Sequence, residues 1–239
     1  MTVTGSAPTT SRGPRLNVAF SSWELIWSHV HRILVVNAGL AVACLPLLAS
    51  LAATRHPWRH PLPFTVVSLC AGPALAAAFS YLEQCGSGEP APLLDLPRAY
   101  RRHAARALAL WTPFTLLAAA CGTDAFALRH TELGLAVSPA LAVVAVLAAN
   151  SGVLAMAHVA ASPAISPLRP RDYLAVPYTL LRRWPLALMN LALLLATAAL
   201  VNQAPLTGLA VLPGCTLFVL WRNYHAMTED TATRESPSA

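Results

Sequence analysis

The sequence predicts an all-α integral membrane protein, a bundle of six transmembrane helices with both termini in the cytoplasm. Three observations carry this. Apolar residues make up 56% of the 239-residue chain and charged residues only 11%, against about 25% charged in an ordinary soluble domain. Six apolar stretches alternate with Pro-rich or charged segments, and in lipid a helix satisfies its backbone polar groups within its own segment. With six spans and an internal N-terminus, thirteen of the sixteen Arg fall on the cytoplasmic side and three outside, as the positive-inside rule requires.

The chain opens with a polar stretch, residues 1–17, rich in Ser, Thr and Pro and read as a disordered tail. No short apolar region with a small-residue cleavage pattern stands here, so a cleavable signal is not expected. Ser21-Ser22-Trp23-Glu24 has the form of a capping box. Phe20, Trp23, Trp27 and Val30 share one helical stripe, opposite Glu24, Ser28, His31 and Arg32. Residues 18–32 are therefore expected to lie along the interface as an amphipathic helix, with the Trp rings at headgroup depth.

The membrane domain extends over residues 18–227. The first span is 33–53, and a helix of that length reaches about 31 Å, enough to cross the hydrocarbon. Thr54–Leu62 is a polar, Pro-rich loop, and the second span follows at 63–84. A Gly-Ser-Gly-Glu-Pro-Ala-Pro linker runs from Gly86 to Pro92. Asp95 reads as an N-cap, with Pro97 tolerated in the first turn. Arg98, Arg101, Arg102 and Arg106 form a basic run into the third span, 104–122. A short polar loop carries Asp124, Arg129, His130 and Glu132, and the fourth span is 135–161. Ser162–Pro170 breaks the chain again. A second basic run ends in Arg182-Arg183-Trp184 and leads into the fifth span, 185–201. Asn202–Pro205 is a tight turn before the sixth span, 206–221, and residues 228–239 form a polar, disordered tail.

A threefold pattern runs through these spans. LCAGPALAAAF (69–79), LAVSPALAVVA (135–145) and LAVLPGCTLFV (209–219) align on Pro73, Pro139 and Pro213. They suggest three parallel helical hairpins, each with a kink where proline frees a backbone carbonyl. Chance likeness among Ala-rich helices is the competing explanation.

Polar groups inside a bilayer need a reason. Asn37, Asn150, Asn190 and His158 are the internal candidates. Hydrogen bonds between helices account for them at about 0.6–2 kcal/mol each; a polar cavity for a small solute is the sharper alternative. Glu83, at the inner end of the second span, is expected to pair with an Arg of the basic runs. His56, His60, His130, Asp124 and Glu132 lie in the external loops, but Pro57 breaks the HPWRH spacing, and solvated loops rather than a metal site are expected. The five Cys are odd in number and form no CxxC pair, so they read as small hydrophobes.

All basic residues are Arg, which excludes Walker-type and Schiff-base lysine chemistry. GxGxxG, GxSxG and HExxH are absent from the sequence. No catalytic residue, cofactor or metal is assigned. The basic runs Arg98, Arg101, Arg102, Arg106, Arg182 and Arg183 fix topology and attract anionic lipid headgroups. Without a platform of interleaved aromatic residues, nucleic acid is not an expected partner.

Three stretches give the chain a family likeness. Asn37–Pro46 (NAGLAVACLP), Gly72–Tyr81 (GPALAAAFSY) and Asp95–Arg106 (DLPRAYRRHAAR) resemble the first span, the small-residue second span and the cytoplasmic basic segment of the YesL-like bacterial membrane proteins. A looser likeness extends to Arg182-Arg183-Trp184-Pro185 and the final hairpin. The Thr54–Leu62 loop departs from the family pattern, which passes sooner into the second span. The resemblance implies a polytopic protein of the bacterial inner membrane, often encoded near carbohydrate-uptake systems, with no established active site. The expected function is thus a non-enzymatic accessory to solute uptake, in contact with lipid and with other membrane transport subunits. The alternative is a small secondary transporter or channel with a polar site between helices.

Overall fold

The computed structural model describes residues 15–54, 61–86, 95–162, 170–203 and 205–235. Their regular structure is helical: α1 (Arg15–Ala43), α2 (Leu45–Ala53), α3 (Pro61–Ser68), α4 (Ala71–Gly86), α5 (Asp95–Leu128), α6 (Glu132–Ala161), α7 (Pro170–Arg182), α8 (Trp184–Gln203) and α9 (Pro205–Glu235). Four helical stretches are long and apolar enough to cross a membrane: Pro61–Gly86, Asp95–Leu128, Gly134–Ala161 and Trp184–Val201. A fifth is added if Val30–Ala43 and Leu45–Ala53, bent by 62°, form one span.

The bend has a proline behind it. Cys44 N–H still bonds to the Leu40 carbonyl at 2.8 Å and Leu48 N–H to the Cys44 carbonyl at 2.9 Å. Pro46, between them, has no N–H for the carbonyl one turn back. A second break separates α3 from α4. There Leu69, Cys70 and Gly72 each donate to the carbonyl three residues back, at 3.2–3.3 Å, the tighter geometry of a 3₁₀ turn. Pro73 follows directly. Pro139 and Pro213, its partners in the sequence alignment, instead lie inside the uninterrupted α6 and α9. The three prolines are thus not equivalent in the backbone.

Element boundaries differ from the sequence reading at several points. Residues 18–32 do not form a separate helix; they continue through α1, and Ser21–Glu24 lies inside it rather than at its start. Nothing between Arg15 and Ala43 interrupts the helix, because the first proline after it is Pro46. The basic run and the third span are one helix of 34 residues, and Asp124 belongs to α5 rather than to a loop. Thr131 caps α6, its hydroxyl accepting Gly134 N–H at 3.0 Å. The final helix runs on to Glu235, past residue 227, where the sequence places the start of a tail. The loop at 55–60, most of the Gly86–Pro92 linker, the break at 163–169 and most of the N-terminal tail lie outside the described residues.

The core gathers at one end of the bundle. In α4, Gly72–Ala74 and Ala76–Leu82 are all buried. Ala148, Leu154–Ala157 and Val159 of α6 meet them, with Ala99, Ala107 and Leu110 of α5, Val36 of α1, and Leu217 and Leu220 of α9. Small residues dominate the contacts, as expected where lipid supplies no hydrophobic drive and backbones must approach closely. α1 packs on α4 and α9, α5 on α4 and α6, and α8 on α9.

Trp111 shows how tight that approach is. A Cβ on Gly72 would stand 2.6 Å from its ring carbon Cγ, and one on Gly152 3.0 Å from its Cζ3. The ring thus occupies a slot between α4 and α6 that only glycines leave open. Its Nε1–H donates to the Ser68 carbonyl at 3.2 Å, a group whose helical partner would be Gly72 N–H. That N–H has turned to Leu69. The indole takes the place that the break leaves open.

Candidate functional site: the polar seam around α9

The polar chemistry of the described residues converges on α9. Each neighbour gives it a different contact. From α1, the buried Asn37 accepts Gly214 N–H on Oδ1 at 2.6 Å. Gly214 directly follows Pro213, whose ring displaces the helical pattern there. A Cβ at Gly214 would meet Asn37 Oδ1 at 2.9 Å and the Ile33 carbonyl at 3.0 Å, so glycine lets the two helices close. From α8, Thr197 and Thr216 hydroxyls lie 2.6 Å apart, and Asn190 Oδ1 accepts Asn223 Nδ2 at 2.6 Å. From α6, His158 Nδ1 lies 3.0 Å from the Tyr224 hydroxyl.

The contact from α4 is the most polar. Glu83 Oε2 accepts Trp221 Nε1–H at 2.6 Å and lies 2.9 Å from His225 Nε2. The Trp221 and His225 rings meet edge to face at 5.0 Å. Burial, then the nearby Glu83 carboxylate, push the Tyr224 phenol up to about 12, so its proton stays on and is available to His158. Arg32 closes the same end, donating through Nη1 to the Cys85 carbonyl at 3.3 Å. One carboxylate, two imidazoles, a phenol and an indole thus hold α4, α6 and α9 together.

The four residues expected inside the membrane do not form one cluster. Asn37 and His158 each face α9 separately. Asn150, 1% exposed, donates through Nδ2 to the Ala187 carbonyl at 3.4 Å, while its Oδ1 has no partner. Asn190, fully buried, accepts from Asn223, while its own Nδ2 is unpartnered. Ala187 and Asn190 are one turn apart on α8, so an orphan acceptor and an orphan donor share the α6–α8 seam. Glu83 is held by Trp221 and His225, not by an Arg of the basic runs; depth alone identified the wrong partner.

Of the basic residues, Arg98 is exposed and bonds to Asp95 at 3.3 Å. Arg101 and Arg102 are exposed and Arg106 is half-buried. Arg182 and Arg183 line a recess of about 400 Å³ with Trp184, Pro185 and Leu186, at the elbow between α7 and α8. α7 itself exposes Leu174, Tyr178 and Leu181 on one stripe and buries Val176 and Leu180, the pattern of a helix lying in an interface. Of the external metal candidates, His56 and His60 lie outside the described residues, and His130 accepts Arg129 Nε–H at 2.9 Å. Among the described residues no three His, Cys, Asp or Glu side chains gather as a metal site.

Sequence reasoning missed Asn223, the Thr197–Thr216 pair, Gly214 and Trp111. One signal was present. Trp221, Asn223, Tyr224 and His225 stand consecutively but for Arg222 at the end of an apolar run, more polar aromatic groups than an anchor in the interface needs. No family model, curated protein or solved structure matches the chain.

Proposed function

We propose that this chain is a six-span protein of the bacterial inner membrane, with both termini cytoplasmic, that serves as a non-enzymatic accessory to solute uptake. α1 with α2, α3 with α4, then α5, α6, α8 and α9 make the six crossings, as three successive hairpins. The Arg distribution supports the orientation. The family likeness of Asn37–Pro46, Gly72–Tyr81 and Asp95–Arg106 supports the setting beside transport systems, those for carbohydrate among them. The basic recess at Arg182 and Arg183, and the exposed Arg98, Arg101 and Arg102, suit anionic headgroups of the cytoplasmic leaflet.

The observation that carries the accessory reading is the filled centre. Phe79, Leu110, Leu154, Met156 and Leu220 are at most 2% exposed, and Asn37, Asn190 and His158 are used to join helices. Tagged full-length protein, purified from native membranes in mild detergent, should bring down subunits of an uptake system in constant ratio. Recovery as a lone chain, with unchanged growth of a deletion strain on limiting solute, overturns the reading.

A secondary transporter is the second reading, favoured by the orphan groups of Asn150 and Asn190. Its test is solute flux into proteoliposomes. Flux lost in Asn150→Leu or Asn190→Leu, with the protein still folded, replaces the accessory role with transport.

A further inference from the structure

Two thiols meet where two spans break. Cys44 caps α2 at the α1–α2 bend, without a side-chain capping bond. Cys70 stands in the turn between α3 and α4. α1 packs on α4 and α2 on α3, so the two break points must face each other. The two thiols lie close enough there to feel each other electrostatically. Both are free and partly exposed. Neighbouring thiols on backbones that have already left regular helix are candidates for a disulfide, which needs their Cα atoms within about 7 Å.

We propose that Cys44 and Cys70 form a reversible disulfide clasp that ties the α1–α2 bend to the α3–α4 break. Two S–H bonds break and one S–S bond forms. The two electrons and two protons pass to a lipid-soluble quinone, which leaves as the quinol. A dithiol reductant reopens the clasp and is itself oxidised to a disulfide. The choice of a quinone rests on the membrane reading, since an apolar site excludes charged oxidants; the clasp itself does not. Closed, it holds both bends at one angle. Open, each bend is held only by packing.

The test uses the full chain in native membranes, with a site-specific protease sequence inserted between Pro57 and Trp58. The fragment N-terminal to the cut contains a single cysteine, Cys44. After copper–phenanthroline oxidation and cleavage, the two fragments should run as one band on a non-reducing gel and separate with dithiothreitol. Linked product should rise at least about tenfold over untreated membranes, and Cys70→Ala should abolish it while leaving expression and detergent elution unchanged. Fragments that separate after oxidation, or stay linked in Cys70→Ala, overturn the clasp. Oxidised glutathione makes the second arm: failure to link supports the quinone, and rapid linking refutes the quinone while leaving the clasp in place.

Discussion

The long helices of this protein have two unlike ends. In α6, Ala148 to Val159 is largely buried, whereas Leu135, Val143 and Val144 are exposed at 75%, 57% and 41%. α5 buries Ala99, His103, Ala107 and Leu110 in its first half and exposes Leu116, Leu117 and Phe126 in its second. α1 buries Val36 and Asn37 before its bend, and α2 and α3 bury nothing. At the packed end small residues, glycines and polar contacts lock the helices in register. At the open end apolar side chains face outward, around a cleft of about 570 Å³ between α2, α3 and α5. Both ends are built from apolar residues. What differs is whether a side chain finds a neighbouring helix or the outside of the bundle.

The largest expected contrast is in the core. Phe79→Ala empties a fully buried site and should cost about 3–5 kcal/mol. Val143→Ala at the open end should stay within about 0.5 kcal/mol. Reversible unfolding in mixed micelles measures both, and equal losses dissolve the distinction between the ends. Next come two glycines. Gly214→Ala drives a methyl into Asn37 and Ile33 and should destabilise by about 1–3 kcal/mol. A methyl added at Gly122 would have nothing within 4 Å, so Gly122→Ala should stabilise by about 0.5–1 kcal/mol through helix propensity alone. Opposite signs from one substitution would sharpen the comparison; the same sign would break it. The smallest effect is a single polar contact. Asn223→Leu and Asn190→Leu should show a coupling of about 0.6–1.7 kcal/mol in a double-mutant cycle. Additive losses would mean that this hydrogen bond does not join α8 to α9.

The helical class was readable because apolar run length is a local property. Four of the expected spans lie in helices of sufficient length and hydropathy, and a fifth does if the bend at Cys44 is kept within one span. The polar side chains of α9 reach three neighbouring helices, α4, α6 and α8. The site was readable only as a set of residue types. Asn37, Asn150 and Asn190 stood out as polar groups needing partners, and all three are buried. Their partners were not legible, because Gly214 N–H, the Ala187 carbonyl and Asn223 lie 177, 37 and 33 residues away in sequence. Pairing at that range follows from which helices pack together, and spacing along one helix says nothing about that. The extent of α1 was missed for a simpler reason: an amphipathic stripe followed by an apolar one needs no break between them.

The Trp111 socket also sets an order of events during synthesis. Gly72 and the Ser68 carbonyl are made before the indole that docks on them, and Gly152 is made after it. A nascent chain halted before residue 152 therefore holds Trp111 against one wall only. The hairpin of α5 and α6 becomes a defined unit when the second wall arrives, so arrest points on either side of Gly152 should give different quenching of Trp111 emission.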